Sequence, residues 1–297
     1  MYDVIVAGGG PAGLSAGLML GRCRRQVLLC DTGEPRNRYS HALHGYLTRD
    51  GTPPLEFNSL GRADLVKYGV ECRAVGVTDA RRVGSHFRVS LADGRTENAR
   101  FLLIATGVTD HLPPIPGIDS CYGKSVHHCP YCDGWGWRDH PLAVLGKGAS
   151  GVRLALSLKS WSPRVVLCLD GSRLDRLKRD RLDRNDIGMR TARVTGLEHV
   201  DGMLKAVTFA SGEPLATHAL FFTSGQHLQC DLAVRMGCSI NTRGTVETGS
   251  LCHTNVPGVF VAGDASRDAQ LVIVAAAEGA KAALAINQAI QREELAP

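Results

Sequence analysis

Two short glycine runs restrict the possible fold of this chain more than any other feature. Gly8-Gly9-Gly10-Pro11-Ala12-Gly13 follows the apolar strand Val4-Ile5-Val6-Ala7, and Gly146-Lys147-Gly148-Ala149-Ser150-Gly151 follows the apolar strand Leu142–Leu145. Each is a Gly-x-Gly-x-x-Gly turn between a strand and a helix. Each helix leads to a second strand that ends in an acid: Gln26–Cys30 with Asp31, and Arg164–Leu169 with Asp170. In such a unit the first glycine permits the tight turn and the second lets a pyrophosphate approach the backbone. The third lets helix and strand pack closely. The helix N-terminus then faces the phosphate, and the acid stands at ribose distance. Two of these units predict an α/β protein of two Rossmann-like, three-layer domains. The first turn offers Gly8, Gly10, Pro11, Ala12, Gly13 and Asp31 as nucleotide-binding residues.

The second domain is expected to be inserted into the first. Pro113-Pro114-Ile115-Pro116-Gly117 has linker chemistry, and a late strand, Val259–Ala262, meets Gly263-Asp264 before a helix predicted over 269–291. That ending suits the first domain. The expected boundaries are 1–114 with 246–297 for the first domain and 115–245 for the inserted one. Within the first, a helix is predicted over Leu55–Tyr68 and a hairpin over Phe87–Leu91 and Thr96–Ala99. The buried strand Phe101–Ile104 then closes on Ala105-Thr106-Gly107. In the second, a carboxylate at Asp170 would repel a 2′-phosphate and so favours NAD over NADP, if a nicotinamide binds there at all. Arg173, Arg176, Lys178, Arg179, Arg181 and Arg184 come next, interleaved with Leu174, Leu177 and Leu182. They read either as a solvated amphipathic helix or as a 2′-phosphate site.

The formal net charge of +5 is spread along the chain and does not suggest nucleic acid. The longest apolar stretch, Leu271–Ala277, is followed by Glu278 and Lys281, so no membrane span is expected. No charged leader precedes the first strand, and the expected compartment is the cytoplasm. There the ten cysteines should be mostly reduced. Cys23, Cys30, Cys72, Cys121, Cys168, Cys230, Cys238 and Cys252 lack a motif partner and read as small buried hydrophobes.

The other two cysteines belong to His127-His128-Cys129-Pro130-Tyr131-Cys132-Asp133-Gly134. A Cys-x-x-Cys pair carries two electrons as dithiol and disulfide, and its first thiol is readily lowered in pKa by a helix N-terminus or a cation. His127 and His128 are placed to supply that cation or to move protons. Asp133 offers a proton acceptor. Two His and two Cys also make a zinc tetrahedron, but histidines adjacent to each other and to the first cysteine would strain it. No second Cys-x-x-Cys exists, and no metal is expected. Trp135 and Trp137 either line an apolar pocket or pack between domains.

These pieces resemble the low-molecular-weight thioredoxin reductase family of FAD enzymes over nearly the full length. The resemblance rests on Gly8–Gly13, Ala105-Thr106-Gly107, Cys129-Pro130-Tyr131-Cys132-Asp133-Gly134, Gly146–Gly151 and Pro257–Asp264. It implies FAD as cofactor, with Gly263 and Asp264 at its ribityl and phosphate region and Gln270 near the flavin ring. It implies that Cys132 is flavin-proximal, that Cys129 exchanges with substrate, and that the protein pairs as a homodimer. Where NADPH-using members carry a basic cluster, this chain has Leu169-Asp170-Gly171-Ser172. That difference and the His-His-Cys-Pro-Tyr-Cys run look more like the dithiol oxidases that close disulfides in gliotoxin, holomycin and romidepsin. Asp133 is the reductase-like residue at a position where some oxidases have His.

The sequence therefore points to an FAD-dependent dithiol oxidase acting on a small-molecule dithiol, with O2 as electron acceptor and His128 as acid/base group aided by His127 or Asp133. The alternative is an NAD(P)H-dependent, thioredoxin reductase-like disulfide reductase. A difference of about 30 mV, equivalent to about 1.4 kcal/mol, is enough to shift such an equilibrium tenfold, so spacing alone does not choose between them.

Overall fold

Tyr2–Ala7 is the central strand of a seven-stranded sheet in the computed structural model, which describes residues 1–266 and 269–295. Val27–Cys30 pairs with it in parallel on one side and Thr96–Ile104 on the other. Glu71–Arg73 extends the sheet beyond Val27–Cys30. Past Thr96–Ile104 the sheet divides. The first half of that strand pairs antiparallel with His86–Leu91, which pairs in turn with Val77–Val83. Its second half takes Val259–Val261 in parallel.

The period-2 alternation of side chains sorts this sheet into two cores. Val4, Val6, Leu29 and Leu103 pack with the helices Pro11–Arg22 and Val272–Glu294. Ile5, Ala7, Leu28, Leu102 and Ile104 pack with Phe87, Val89 and Leu91 of the antiparallel ribbon. Burial on both faces is why the parallel strands read as unbroken apolar runs. The two helices touch closely enough that a Cβ on Gly279 would overlap the Ala12 carbonyl oxygen.

The second sheet repeats the plan. Its five parallel strands run in the order Ile187–Arg190, Val165–Cys168, Leu142–Leu145, Ala219–Phe222, Val126–His127. The helix Gly148–Leu158 contributes to the core on one face. A three-stranded antiparallel ribbon of Val194–Val200, Met203–Phe209 and Leu215–Ala216 contributes to the core on the other.

The chain divides into two compact units, one of Met1–Arg38, Gly45–Thr109 and Gln226–Pro297, the other of Tyr39–His44 and Asp110–Gly225. The divisions fall at 109/110 and 225/226 instead of the expected 114/115 and 245/246. The reason for the second shift is apolar packing: Leu232, Ala233, Cys238 and Val246 belong to the core under Ile5 and Leu102. Tyr39 goes with the other unit because its ring lies 5.7 Å from that of Tyr122.

The helix expected over Leu55–Tyr68 spans Pro54–Val66, and the terminal helix spans Val272–Glu294. The strands Val77–Val83 and Val194–Val200 were not legible, because the charges of Arg81, Arg82 and Glu198 mask their alternation. The arginine-rich segment folds as the amphipathic helix Arg176–Asp183, with Leu182 buried and Asp175 capping it by accepting the Lys178 N–H. Of the eight unpaired cysteines, Cys72 is exposed and Cys23 and Cys230 are half-buried, against the expectation that all are core. Cys72 lies on the edge strand Glu71–Arg73, which has only one neighbour to cover it. No helix among the described residues is long and apolar enough to cross a membrane.

Candidate active site

Cys129 and Cys132 form a disulfide in the second unit. Strand Val126–His127 ends one residue before Cys129, and the single-turn helix Pro130–Asp133 begins between the two cysteines. Proline suits the first helical position because its missing N–H has no intrahelical partner there. Cys129 takes the N-cap position, and its Sγ accepts the Cys132 N–H at 3.1 Å. When the disulfide opens, that N–H stabilises charge on Cys129. Both cysteines are half-buried, and Tyr131 between them is 75% exposed.

The two histidines have different surroundings. His127 is 4% exposed: its Nε2 accepts the indole N–H of Trp137 at 2.9 Å, and its Nδ1 lies 3.3 Å from Asp133 Oδ1. His128 is one-third exposed, with Nδ1 3.9 Å from Asp110 Oδ2. Asp110 is itself fixed by Tyr122, whose hydroxyl donates to the same oxygen at 2.6 Å. Each histidine thus faces a carboxylate, but only His128 reaches solvent. Asp110 and Tyr122 were missing from the sequence-based site, since neither spacing nor motif marks them, and Trp137, expected to line an apolar pocket or pack between domains, also donates a hydrogen bond to His127. Trp137 packs against the second-unit core, whereas Trp135 is exposed and carries the Arg138 guanidinium over its ring at 4.5 Å.

At four buried cysteines thiol chemistry is suppressed. Burial pushes the Cys168 thiol up to about 12 and the Cys30 thiol up to about 11, and raises Cys121 and Cys238 as well. Protonated thiols are poor nucleophiles. Among the described residues no group of three or more His, Cys, Asp or Glu is placed to hold a metal ion.

In the first unit the glycine run is built as the motif requires. A Cβ on Gly13 would overlap the Gly8 carbonyl oxygen, and one on Gly8 would overlap that of Ala105, while Gly10 faces open space. Pro11 starts the helix, and Ala12 touches Gly263: a Cβ on Gly263, where φ is +81°, would lie 3.0 Å from that of Ala12. Thr106 Oγ1 accepts from the Cys230 thiol at 3.5 Å, and Gly107 has φ +72°. Asp31 lies against Gly9 and pairs through Oδ2 with Arg62 at 2.7 Å.

Asp264 and Gln270 are joined by a residue the sequence did not single out. Arg36 Nη1 reaches Asp264 Oδ2 at 2.9 Å and Gln270 Oε1 at 2.7 Å, and its Nη2 reaches Gln226 Oε1 at 3.1 Å. Gln270 Nε2 is buried without a hydrogen-bond partner. A second unanticipated residue, the buried Glu278, accepts the Gly263 N–H at 3.0 Å and so fixes the turn that carries Asp264.

The second glycine run packs in the same way, with a Cβ on Gly151 falling 2.6 Å from the Gly146 carbonyl carbon and Gly148 facing open space. Its acid differs. Asp170, at φ +47°, accepts the Val194 N–H through Oδ1 at 3.1 Å and pairs through Oδ2 with Lys147 at 3.2 Å.

Two three-layer units with interlocked glycine turns, one bearing a Cys-x-x-Cys disulfide, define a flavin-linked disulfide oxidoreductase. The chain belongs to the pyridine nucleotide-disulphide oxidoreductase family, whose profile matches residues 2–279. It is an FAD-dependent enzyme of the thioredoxin reductase type. It is 30% identical to a probable thioredoxin reductase of Arthroderma benhamiae over 98% of this chain and 81% of that protein. It is 32% identical to thioredoxin reductase tcpT of Claviceps purpurea over 89% of this chain and 86% of that one. Among solved structures, that of HlmI superposes with a TM-score of 0.95 at 36% identity, covering 99% of this chain and 94% of the other.

Proposed function

We propose that the enzyme oxidises a small-molecule dithiol to a disulfide through Cys129 and Cys132, with O2 as the final acceptor. The observation that carries the direction is the engaged state of Asp170. Both of its oxygens have protein partners, and positions 169–172 hold no basic residue. Asp31 of the first turn is paired through one oxygen with Arg62, whereas Asp170 has both oxygens engaged, and this difference favours electrons entering from the thiol side. The resemblance of His127–Cys132 to dithiol oxidases supports the same reading.

The first turn fits FAD by its own polar inventory. Gly10 leaves room for a pyrophosphate at a helix N-terminus, and the buried, unsatisfied Nε2 of Gln270 awaits an acceptor. Gly8, Gly10, Pro11, Ala12, Gly13, Asp31, Ala105, Thr106, Gly107, Gly263, Asp264 and Gln270 would hold the cofactor. Bound FAD would supply the two-electron sink for the reduced cysteine pair and the route by which O2 takes those electrons.

At the cysteines, a substrate thiolate attacks Cys129 Sγ and breaks the Cys129–Cys132 bond, releasing the Cys132 thiolate. The second substrate thiolate attacks the substrate sulfur of the mixed disulfide, closes the product and releases Cys129. The Cys132 N–H stabilises the charge that returns to Cys129. His128, oriented by Asp110, removes the proton of the second substrate thiol. The reductase alternative is supported by Asp133 directly after the second cysteine and by the thioredoxin reductases among the relatives.

Anaerobic mixing of the FAD-loaded protein with dithiothreitol, NADPH and NADH in turn separates the two. Dithiothreitol is expected to bleach the flavin and air to restore it, with both nicotinamides inert. Rapid bleaching by NADPH or NADH would transfer the assignment to a reductase. Cys129→Ser and Cys132→Ser should each abolish dithiol turnover while FAD stays bound. His128→Ala should slow exchange most near neutral pH, and an unchanged pH–rate profile would remove His128 from the acid/base role.

A further inference from the structure

His127 has a tautomer that its neighbours dictate. An indole N–H is a donor only. Because Trp137 presents Nε1 to His127 Nε2 at 2.9 Å, that nitrogen must accept and carries no proton. The ring proton of the neutral imidazole is then on Nδ1, the nitrogen 3.3 Å from Asp133 Oδ1. The arrangement is held on all sides. His127 is 4% exposed, its ring is 5.4 Å from that of Phe221, and Trp137 meets His140 edge-on at 6.5 Å. Asp133 is the charged group facing His127 from the Cys-x-x-Cys turn, and His140 is the titratable group on the far side of Trp137.

We propose that Trp137 is a positioning residue for disulfide exchange: it fixes His127 as the Nδ1–H tautomer, which presents its proton to one oxygen of Asp133 and keeps that carboxylate oriented as the proton acceptor beside Cys132. This assigns His127 and His128 different tasks. His127 orients, while the solvent-reaching His128 is left to exchange protons with substrate. The balance of the step is simple. A substrate thiol gives its proton to Asp133, its sulfur bonds to Cys129 Sγ, and the Cys129–Cys132 bond breaks. Asp133 then returns the proton to the Cys132 thiolate. The role rests on Cys129 and Cys132 being the exchanging pair, in whichever direction electrons flow.

The test uses FAD-loaded protein with dithiothreitol as the probe. Trp137→Phe keeps an aromatic ring and removes the donor. Imidazole nitrogen NMR should show His127 leaving the single Nδ1–H form, and the rate of anaerobic flavin bleaching should fall about tenfold. That is less than the roughly 10²–10⁴-fold contributed by a positioned acid–base group itself. The pH–rate profile should shift at the same time. An unchanged tautomer, or a changed tautomer with unchanged rate and profile, overturns the proposal. His127→Asn keeps a donor facing Asp133 and should be markedly less impaired than His127→Leu; equal loss in both overturns it too. In the His127→Asn background, Trp137→Phe should add no more than about twofold, as expected when one residue acts through the other. If the Trp137 variant fails to fold, the two His127 variants decide. Cys132→Ser serves as the control: bleaching that survives in it would refute the cysteine assignment, independently of the tautomer.

Discussion

The two glycine-rich turns are nearly the same object as backbone and quite different as chemistry. In both, the first and third glycines interlock so tightly that a methyl group on the third would strike the first, and in both the middle glycine faces open space. Around the first turn, Asp31 is paired through one oxygen with Arg62, and Gln270 Nε2 is buried and unsatisfied. Around the second, Asp170 is consumed by Lys147 and by the Val194 N–H. Glycine spacing therefore reports how closely a helix must pack on a strand. Whether a ligand is required is reported by hydrogen-bond accounting, because a buried polar group left unpaired costs about 1–3 kcal/mol.

The strongest way to break this comparison is to fill the interlock. Gly13→Ala places a methyl against the Gly8 carbonyl oxygen, and should cost about 3 kcal/mol or more, the upper end of overpacking. Denaturant unfolding and loss of flavin absorbance would both register it. Gly151→Ala should destabilise the second unit while FAD stays bound; a flavin-free Gly151→Ala protein would show that the two turns are not independent.

The middle glycines give the next effect. Gly10→Val has room in the protein itself, so the fold should survive while FAD binding weakens by tenfold or more, about 1.4 kcal/mol. Ultrafiltration of the loaded protein measures it. Gly148→Ala should instead cost only about 1 kcal/mol of backbone strain at φ +54° and leave dithiol bleaching of the flavin intact.

The corresponding strand ends give a pH test. Cys30 precedes Asp31 in the first unit, and Cys168 lies two residues before Asp170 in the second. Burial raises both thiols above the ordinary value of 9.0, to about 11 and about 12. A raised folded-state pKa stabilises the fold below the unfolded value, and that contribution is lost as pH rises through the folded one. Stability should therefore fall from about pH 9 upward. Cys30→Ala and Cys168→Ala should each flatten that alkaline limb, as thermal unfolding at stepped pH would show. The smallest effect belongs to Asp170→Asn. Asparagine tolerates a positive φ, and a surface ion pair with Lys147 is worth roughly 0–1 kcal/mol. Dithiol-driven bleaching should persist, and its collapse would revive a nicotinamide role for the second turn.

Much of the fold could be read from the chain because its parallel strands are buried on both faces. Val4–Ala7, Phe101–Ile104, Leu142–Leu145 and Val259–Val261 are continuous apolar runs, and the glycine turns after Ala7 and Leu145 each require a helix packed back on its strand. The antiparallel strands were harder, since Arg81, Arg82 and Glu198 interrupt the alternation, and the unit boundary after 225 was hidden because Leu232 and Cys238 return to the first core through contacts distant in sequence.

By itself the sequence determined the local chemistry: two strand–glycine–helix turns, whose tight backbone packing tolerates no side chain at the interlocked positions, and a pair of cysteines spaced for one disulfide. It did not determine which neighbours hold those groups. Trp137 and Asp133 around His127, Asp110 and Tyr122 beside His128, Arg36 linking Asp264 to Gln270, and Lys147 on Asp170 are set by the tertiary structure alone. Hydrogen-bond direction and charge pairing depend on distances of a few ångströms between residues brought together only by packing, and no linear spacing encodes them.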